Sequence, residues 1–415
     1  MTEGFGRLLR DHRKFSALTQ LQLADLSTLS VRAIRDLEQG RAQRPRPNTV
    51  RLLADGLELR GSRRAAFEAA ANAGDEAGRK LAAELGCAGP PAAMNALLGR
   101  ETEVRVLADL LLVDQHRVVT VTGIAGVGKT RLAIEAAGLV ARAGGTLVLW
   151  KRCDRGPLPG PELLRMADLA GDRDALLVLD GLVAPAPADL PIMELLRRCP
   201  RLRVLVTSDA PLNQGEERVA PLAPLPVPEA ARSGDVEAVG RSPSVRLLLR
   251  HIRALNPAFR LGVDNVRAIA EICRRCDGHP QVVEVAGIWC ALWSPDRVCA
   301  RLAPDPDVLP RPVETPGLTA ALCRSLATLG IRERELLVRL LPLRSAWSVD
   351  EAVALTGGEP AETIGAVHNL VLRGLVRGGD RPGGTRFEVL NLVRSCVDGR
   401  LGRFPGRPGE TAAAE

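Results

Sequence analysis

The stretch Gly123-Ile124-Ala125-Gly126-Val127-Gly128-Lys129-Thr130 constrains this chain more than any other. It has the form G-x-x-x-x-G-K-[ST]. It follows an apolar, β-branched run, Val118-Val119-Thr120-Val121-Thr122, and opens a helical pattern with Leu132, Ala133, Ala136, Ala137 and Val140. Strand, glycine-rich turn and helix N-terminus in that order make a phosphate-binding loop. Glycines let backbone N–H groups curl around an anion, and the helix N-terminus adds partial positive charge. Lys129 is expected to reach the β- and γ-phosphates of a nucleotide, and the Thr130 hydroxyl to ligate Mg²⁺. The chain otherwise prefers Arg: its only lysines are Lys14, Lys80, Lys129 and Lys151. A lysine kept where a phosphate loop needs one weighs against the alternative, a glycine-rich turn with no ligand.

At 415 residues the chain is long enough for several domains. Aromatic residues make up 2% and Tyr is absent, so cores must be built from Leu, Val, Ala and Ile. No apolar stretch approaches the ~18 residues that span a membrane, and the N-terminus lacks an apolar signal-peptide core. A cytoplasmic location with no membrane partner is the default expectation. The nine cysteines are scattered. Cys273 and Cys276 form a lone C-x-x-C with no second pair, which argues against zinc and for small buried residues on a helix face. Net charge is +7, and residues 1–80 hold 15 Lys/Arg against 10 Asp/Glu, so +5 of it lies there. That asymmetry points to a nucleic-acid-binding N-terminal segment.

Residues 4–14 read as a helix with Phe5, Leu8 and Leu9 inward. Thr19 caps a short helix carrying Leu21, Leu23 and Ala24. After a turn through Ser27-Thr28-Leu29, Ser30 caps a second helix that runs to Gln39, with Gly40 ending it. Ile34 and Leu37 face the core, whereas Val31, Arg32, Arg35 and Asp36 stay outside. Asn48 caps a further helix. Two short helices joined by a turn form a helix-turn-helix. Residues 4–75, through Leu18-Thr19-Gln20 and the run from Ser30 to Arg41, resemble the Xre/Cro-type helix-turn-helix of many actinobacterial regulators. The resemblance implies double-stranded DNA as partner and Ser30–Gln39 as recognition helix. Ser30, Val31, Arg32 and Arg35 would then lie toward base edges, where Arg can take guanine bidentately. Gln20, Arg41, Arg44 and Arg46 would hold phosphates.

Residues 76–95 read as a linker ending near Pro90-Pro91. Leu98-Gly99-Arg100-Glu101 then opens a second resemblance, to NB-ARC-type STAND ATPases, in which this "GRE" element sits near the adenine. The fold expected over residues 96–228 is an α/β phosphate-loop domain with a parallel sheet. Its strands include Thr146–Trp150, Ala175–Asp180 and Leu202–Thr207, and Pro221–Pro226 closes it. Asp180 ends a hydrophobic strand, a Walker B pattern, and would hold Mg²⁺ through water. Residues 240–303 resemble the family's helical lid. Their Gly278-His279-Pro280-Gln281 matches "GLPLA" at Gly278 and Pro280 only, and the family's proline packs on the nucleotide. His279 by itself reads as a loop histidine without chemistry. Residues 315–402 resemble its winged-helix domain: Ser348–Glu351 is a capping box, and Leu375–Arg377 and Arg386–Leu390 flank a wing-like turn. Residues 403–415 read as a disordered tail.

The resemblance therefore implies a multidomain chain: an all-α helix-turn-helix, an α/β phosphate-loop sheet, a helical lid and a winged helix. ATP or ADP with Mg²⁺ would be held by Gly99, Arg100, Gly123, Gly126, Val127, Gly128, Lys129, Thr130, Asp180 and Pro280. Exchange of ADP for ATP would free or oligomerise the domains, making a second copy of the chain a partner. Departures from the family bear on catalysis. Gly181 follows Asp180 where a second acid or Asn is usual, and Asp209 replaces the arginine that contacts the γ-phosphate. The segment from Trp150 to Asp180 is short, which suggests a missing strand or helix, and the "MHD" position reads Val389-Leu390-Asn391. At most a slow ATPase is implied, with Arg203 a candidate replacement arginine. The competing readings are a working ATPase or small-molecule kinase, and an immune-type sensor whose N-terminal module binds protein. No repeat with a period of roughly 20–50 residues is visible.

Overall fold

The computed structural model describes residues 5–39, 45, 47–61, 63–64, 67–68, 71, 89–91, 95–114, 116–144, 146–153, 160–171, 173–183, 191–229, 234–302, 317–381 and 384–398. Four helices come first: α1 (Phe5–Phe15), α2 (Gln20–Ser27), α3 (Val31–Glu38) and α4 (Pro47–Gly56). Thr19 begins α2 with a reciprocal capping box to Gln22, and Thr28 ends it in the left-handed conformation at φ 55°. The Ser30 hydroxyl accepts from Ala33 N at 3.1 Å and so starts α3. The fourth helix begins one residue before the expected cap, because Pro47 suits a first helical position. Leu9, Leu23, Ile34, Leu53 and Phe67 form a core of their own. A second tie is polar: Glu38 accepts from Arg13 Nε at 2.5 Å and Nη2 at 2.9 Å, and from Gln20 Nε2 at 2.8 Å. These contacts bind α1, α2 and α3 together at the turn.

An α/β layer follows. Helix α5 (Glu101–Leu112) leads to β1 (Val118–Thr122), α6 (Lys129–Gly144), β2 (Leu147–Arg152), α7 (Gly160–Ala170), β3 (Ala175–Leu182), α8 (Ile192–Arg198), β4 (Leu202–Ser208) and β5 (Glu217–Pro221). The strands pair in parallel in the order β2-β3-β4-β1-β5. With helices on both faces, the inner strands have no polar side to present, and β1 is buried along its whole length. The stretch between Trp150 and Asp180 contains α7 and joins β2 to β3 as adjacent strands, so the sheet does not lack the expected crossover there. The closing strand is Glu217–Pro221 rather than Pro221–Pro226.

The helices α9 (Val236–Arg241), α10 (Pro243–Leu255), α11 (Val266–Arg275), α12 (Pro280–Leu292) and α13 (Pro295–Arg301) form a bundle around Leu248, Ile269 and Val283. Cys273 and Cys276 are buried within it as small apolar residues, and among the described residues no cluster of metal ligands exists. The last unit comprises α14 (Leu318–Ala327), α15 (Ile331–Leu340), α16 (Val349–Thr356), α17 (Pro360–Leu372), the hairpin β6 (Val376–Arg381) and β7 (Gly384–Val389), and α18 (Asn391–Asp398). Ser348 and Glu351 make the expected capping box. The hairpin strands extend further than the sequence suggests and pair from Val376↔Val389 to Arg381↔Gly384. One continuous core joins the α6 face of the sheet, the helical bundle and this last unit.

Asp277, in the turn after α11, links the bundle to the last unit. Its Oδ2 accepts from Leu392 N at 3.0 Å and so caps α18 from outside that helix. Burial pushes its carboxyl up to about 6, against the opposing pull of the Leu392 and Asn391 backbone and of Arg377 and Arg394. An unfolded Asp titrates near ~3.9. Between those two values the folded chain binds the proton more tightly than the unfolded one. Stability from this site is therefore greatest below about pH 4 and is lost as pH rises through about 6, by at most about 3 kcal/mol. Asp277→Asn keeps an acceptor oxygen without the charge. The difference between parent and variant unfolding free energies is expected to change between about pH 4 and 6 and to level off above, as read from denaturant midpoints across pH. A pH-independent difference would contradict this.

Candidate functional site

The loop of residues 123–128 runs from the end of β1 to the start of α6, at the carboxyl edge of the sheet. Lys129, the first residue of the helix, turns back and donates from Nζ to Gly123 O at 2.7 Å and Ile124 O at 3.0 Å. Burial lowers its pKa to about 8, partly offset by the charges of Asp209 and Asp180. A lysine in that condition gains from any further anion placed beside it. The next residue, Thr130, donates from Oγ1 to Asp180 Oδ1 at 2.7 Å. Thr207 on β4 donates to the same oxygen at 2.7 Å, and its Oγ1 in turn accepts from Gly181 N at 2.8 Å. Asp180 is thus oriented by hydroxyls from two neighbouring elements. Gly128 has open space on its side-chain side, so the loop backbone there remains accessible.

The first half of the loop is covered by two later parts of the chain. His279, fully buried at the N-cap of α12, lies with Nε2 2.8 Å from Ala125 O, so that nitrogen carries the proton. The sequence context, a loop histidine without chemistry, carries no sign of this buried contact. A Cβ on Gly126 would come 2.1 Å from Gln281 Oε1, so the glycine is needed for close approach. Pro280 occupies the first turn of α12 between these two residues. From the last unit, Leu372 O accepts the Thr122 hydroxyl. Gly374, at φ 71°, sets its backbone against Gly123, where a Cβ would lie 3.0 Å from Gly123 Cα. Neither Gln281 nor the 372–374 turn carries a signal in sequence that would bring it here. Val127 is buried beneath the loop. Arg100 is buried and donates to Ala223 O at 2.5 Å and Glu103 at 2.8 Å, and Gly99 packs on Pro243. Arg100 thus ties the start of α5 to the segment after β5, and Gly99 meets the first residue of α10.

Gly181 has a structural reason to be glycine. It sits at φ 82° in an irregularity of the β3–β4 pairing, so an acid placed there would be strained. Asp209 follows β4 at the loop edge of the sheet. Arg203 lies at the other end of the same strand and donates to Leu111 O at 2.7 Å, so it cannot replace an arginine at the loop.

In the N-terminal unit, Arg32 and Arg35 project from α3 into solvent, and Arg32 makes a long ion pair to Asp36 at 3.9 Å with its side chain 91% exposed. Ile34 and Leu37 face inward. Val31 differs from expectation: it is half-buried and packs on the core. The Ser30 hydroxyl is engaged in its cap and the Gln20 amide on Glu38. Gly40, Arg41, Arg44 and Arg46 lie outside the described residues.

Comparison with known proteins assigns part of this picture. Residues 5–67 match the model of a helix-turn-helix domain. The chain is 28% identical over 322 residues to the Mycobacterium tuberculosis (H37Rv) protein named "Putative HTH-type transcriptional regulator Rv0890c", covering 70% of this chain and 34% of that protein. It therefore spans about a third of the length of this relative. It is also 28% identical over 333 residues to the uncharacterized protein Rv0894 of the same organism, covering 72% of this chain and 80% of that one. A crystal structure of NtrX from Brucella abortus in complex with ATP covers 78% of this chain and 76% of its own at 16% identity, with a TM-score of 0.31, a likeness too slight to argue from. Among the described residues no helix is long and apolar enough to cross a membrane. The chain thus carries an N-terminal helix-turn-helix domain, followed by a five-stranded parallel α/β layer and further helices.

Proposed function

We propose that this chain is a DNA-binding transcriptional regulator whose state is set by ATP or ADP held at the loop of residues 123–130. One observation carries the nucleotide half of the reading. A buried lysine, an open glycine backbone and a hydroxyl–carboxylate pair meet at the carboxyl edge of a parallel sheet. Gly123, Gly126, Val127 and Gly128 would offer backbone N–H groups to the phosphates and Lys129 its charge. Thr130 and Asp180 suit an Mg²⁺ ion, an oxygen-seeking cation that keeps several waters. Bound Mg–nucleotide would neutralise phosphate charge. Gly99, Arg100 and Pro280 belong to the same reading as supports of the base-side wall. On this view the chain comprises a DNA-binding domain over 1–75, a nucleotide domain over 96–228, a lid over 240–303 and a winged helix over 315–402.

The helix-turn-helix match supports the DNA half. Of the expected base-reading residues, Arg32 and Arg35 have side chains free to enter a groove. Val31 and Gln20 support the helix that carries them. Hydrolysis is slow or absent in this reading. Gly181 cannot polarise water, Asp209 has the wrong sign for a developing negative charge, and Arg203 is at the far end of its strand.

The tests are separate. Lys129→Ala should weaken ATP and ADP binding by more than about 100-fold in calorimetry, since it removes charge-assisted hydrogen bonds. Unchanged affinity would remove the nucleotide assignment. In single-turnover assays with labelled ATP, the rate should fall well below the ~1 s⁻¹ that marks slow kinases; a rate at that level would mean an unrecognised catalytic group. Arg32→Ala or Arg35→Ala should cost roughly 1–3 kcal/mol at the preferred DNA site and relax its sequence preference. If both variants select the same sites as the parent, α3 does not read bases.

A further inference from the structure

Three facts converge on Arg373, which joins α17 to β6. The residues on either side of it touch the end of β1 and the start of the loop: Leu372 O accepts the Thr122 hydroxyl, and Gly374 lies against Gly123. Its guanidinium is half-buried, yet it donates to neutral oxygens, Nη1 to Thr328 Oγ1 at 2.7 Å and Nη2 to Thr328 O at 3.3 Å. The charge of Asp209, which ends β4 beside the loop, acts on both Arg373 and Lys129. Burial lowers the pKa of Arg373, while Asp209 and Glu333 act against that shift. Two cations, one from the loop and one from the last unit, thus share the field of a single carboxylate at the loop edge.

A half-buried guanidinium held by neutral oxygens is poised to accept an anion, because much of its desolvation has already been incurred and its donor fork is held in place. We propose that Arg373 is the residue that reads the terminal phosphate of the bound nucleotide, and that Asp209 is the carboxylate that phosphate competes with for it. This rests on the nucleotide reading above and adds the element that distinguishes ATP from ADP. It also gives the swapped sign at position 209 a role. The cation would reach the loop from the C-terminal unit and not from the strand end, so a phosphate that engages it would act on the packing between that unit and the sheet. A terminal phosphate drawing Arg373 away from Thr328 would disturb the turn between α14 and α15 to which it is tied. ADP would leave that turn as it is.

The experiment compares ATP and ADP affinities by calorimetry, with Mg²⁺ and the full chain, for the parent, Arg373→Gln, Arg373→Lys, Asp209→Asn and Lys129→Ala. Loss of a charge-assisted contact to one phosphate predicts that Arg373→Gln weakens ATP about 10-fold or more and changes ADP by less than about 3-fold. Arg373→Lys should recover part of the ATP affinity, because the charge is kept while the fork is lost. Asp209→Asn should tighten ATP several-fold and leave ADP nearly unchanged, and it tests the idea even if Arg373→Gln fails to fold. If Lys129→Ala abolishes binding but neither Arg373→Gln nor Asp209→Asn alters the ratio of ATP to ADP affinity, this inference is wrong and the nucleotide site stands. If the parent binds neither nucleotide, the site and the inference fall together.

Discussion

The backbone of one glycine-rich loop is the surface on which the parts of this molecule meet. Gly126 lies under Gln281 and His279, and Gly123 lies under Gly374. These approaches leave no room for a side chain at Gly126 or at Gly374, so a residue of the phosphate-loop motif is also one that lets a later unit pack. The hydrogen bonds His279 Nε2 to Ala125 O and Thr122 Oγ1 to Leu372 O fix both approaches. Any change in loop conformation must therefore be transmitted to the bundle, to the last unit or to both. Packed interfaces respond to such shifts by switching between arrangements rather than by gradual deformation.

Charge around the loop is arranged with few spare groups. Lys129 is folded back on loop carbonyls, Asp180 is oriented by Thr130 and Thr207, and Asp209 acts on Lys129 and Arg373 together. Such an arrangement holds two cations within the field of Asp209. In the turn that also carries His279, Asp277 caps α18 from a different unit, so a further polar contact ties the last unit to the bundle.

The N-terminal unit shows how little of an interface is decided by helix placement alone. The two arginines Arg32 and Arg35 on α3 are exposed. Val31, expected on that surface, and Gln20, expected to hold phosphate, serve the fold instead. Val31 completes the small core, and Gln20 joins Arg13 on Glu38. A domain of this size has few apolar residues to spare, so side chains at the rim are drawn into support.

The sequence by itself determined what is local. The phosphate-loop motif, the strand before it, the helix after it, the Ser348 and Thr19 capping boxes and the apolar face of α3 are all encoded within a few residues of where they act. Tertiary structure alone decided what sits on the loop. His279 meets Ala125 across 154 positions and Thr122 meets Leu372 across 250, separations over which no local pattern carries information. It also decided that Gly181 serves an irregular strand pairing, that Arg203 is at the wrong end of β4, and that a complete strand–helix–strand crossover fits between Trp150 and Asp180. The reason is common to all of these. A motif states which groups a chain can bring to a site, whereas the partners of those groups depend on strand order and on how separate cores pack, which are set by burial over the whole chain.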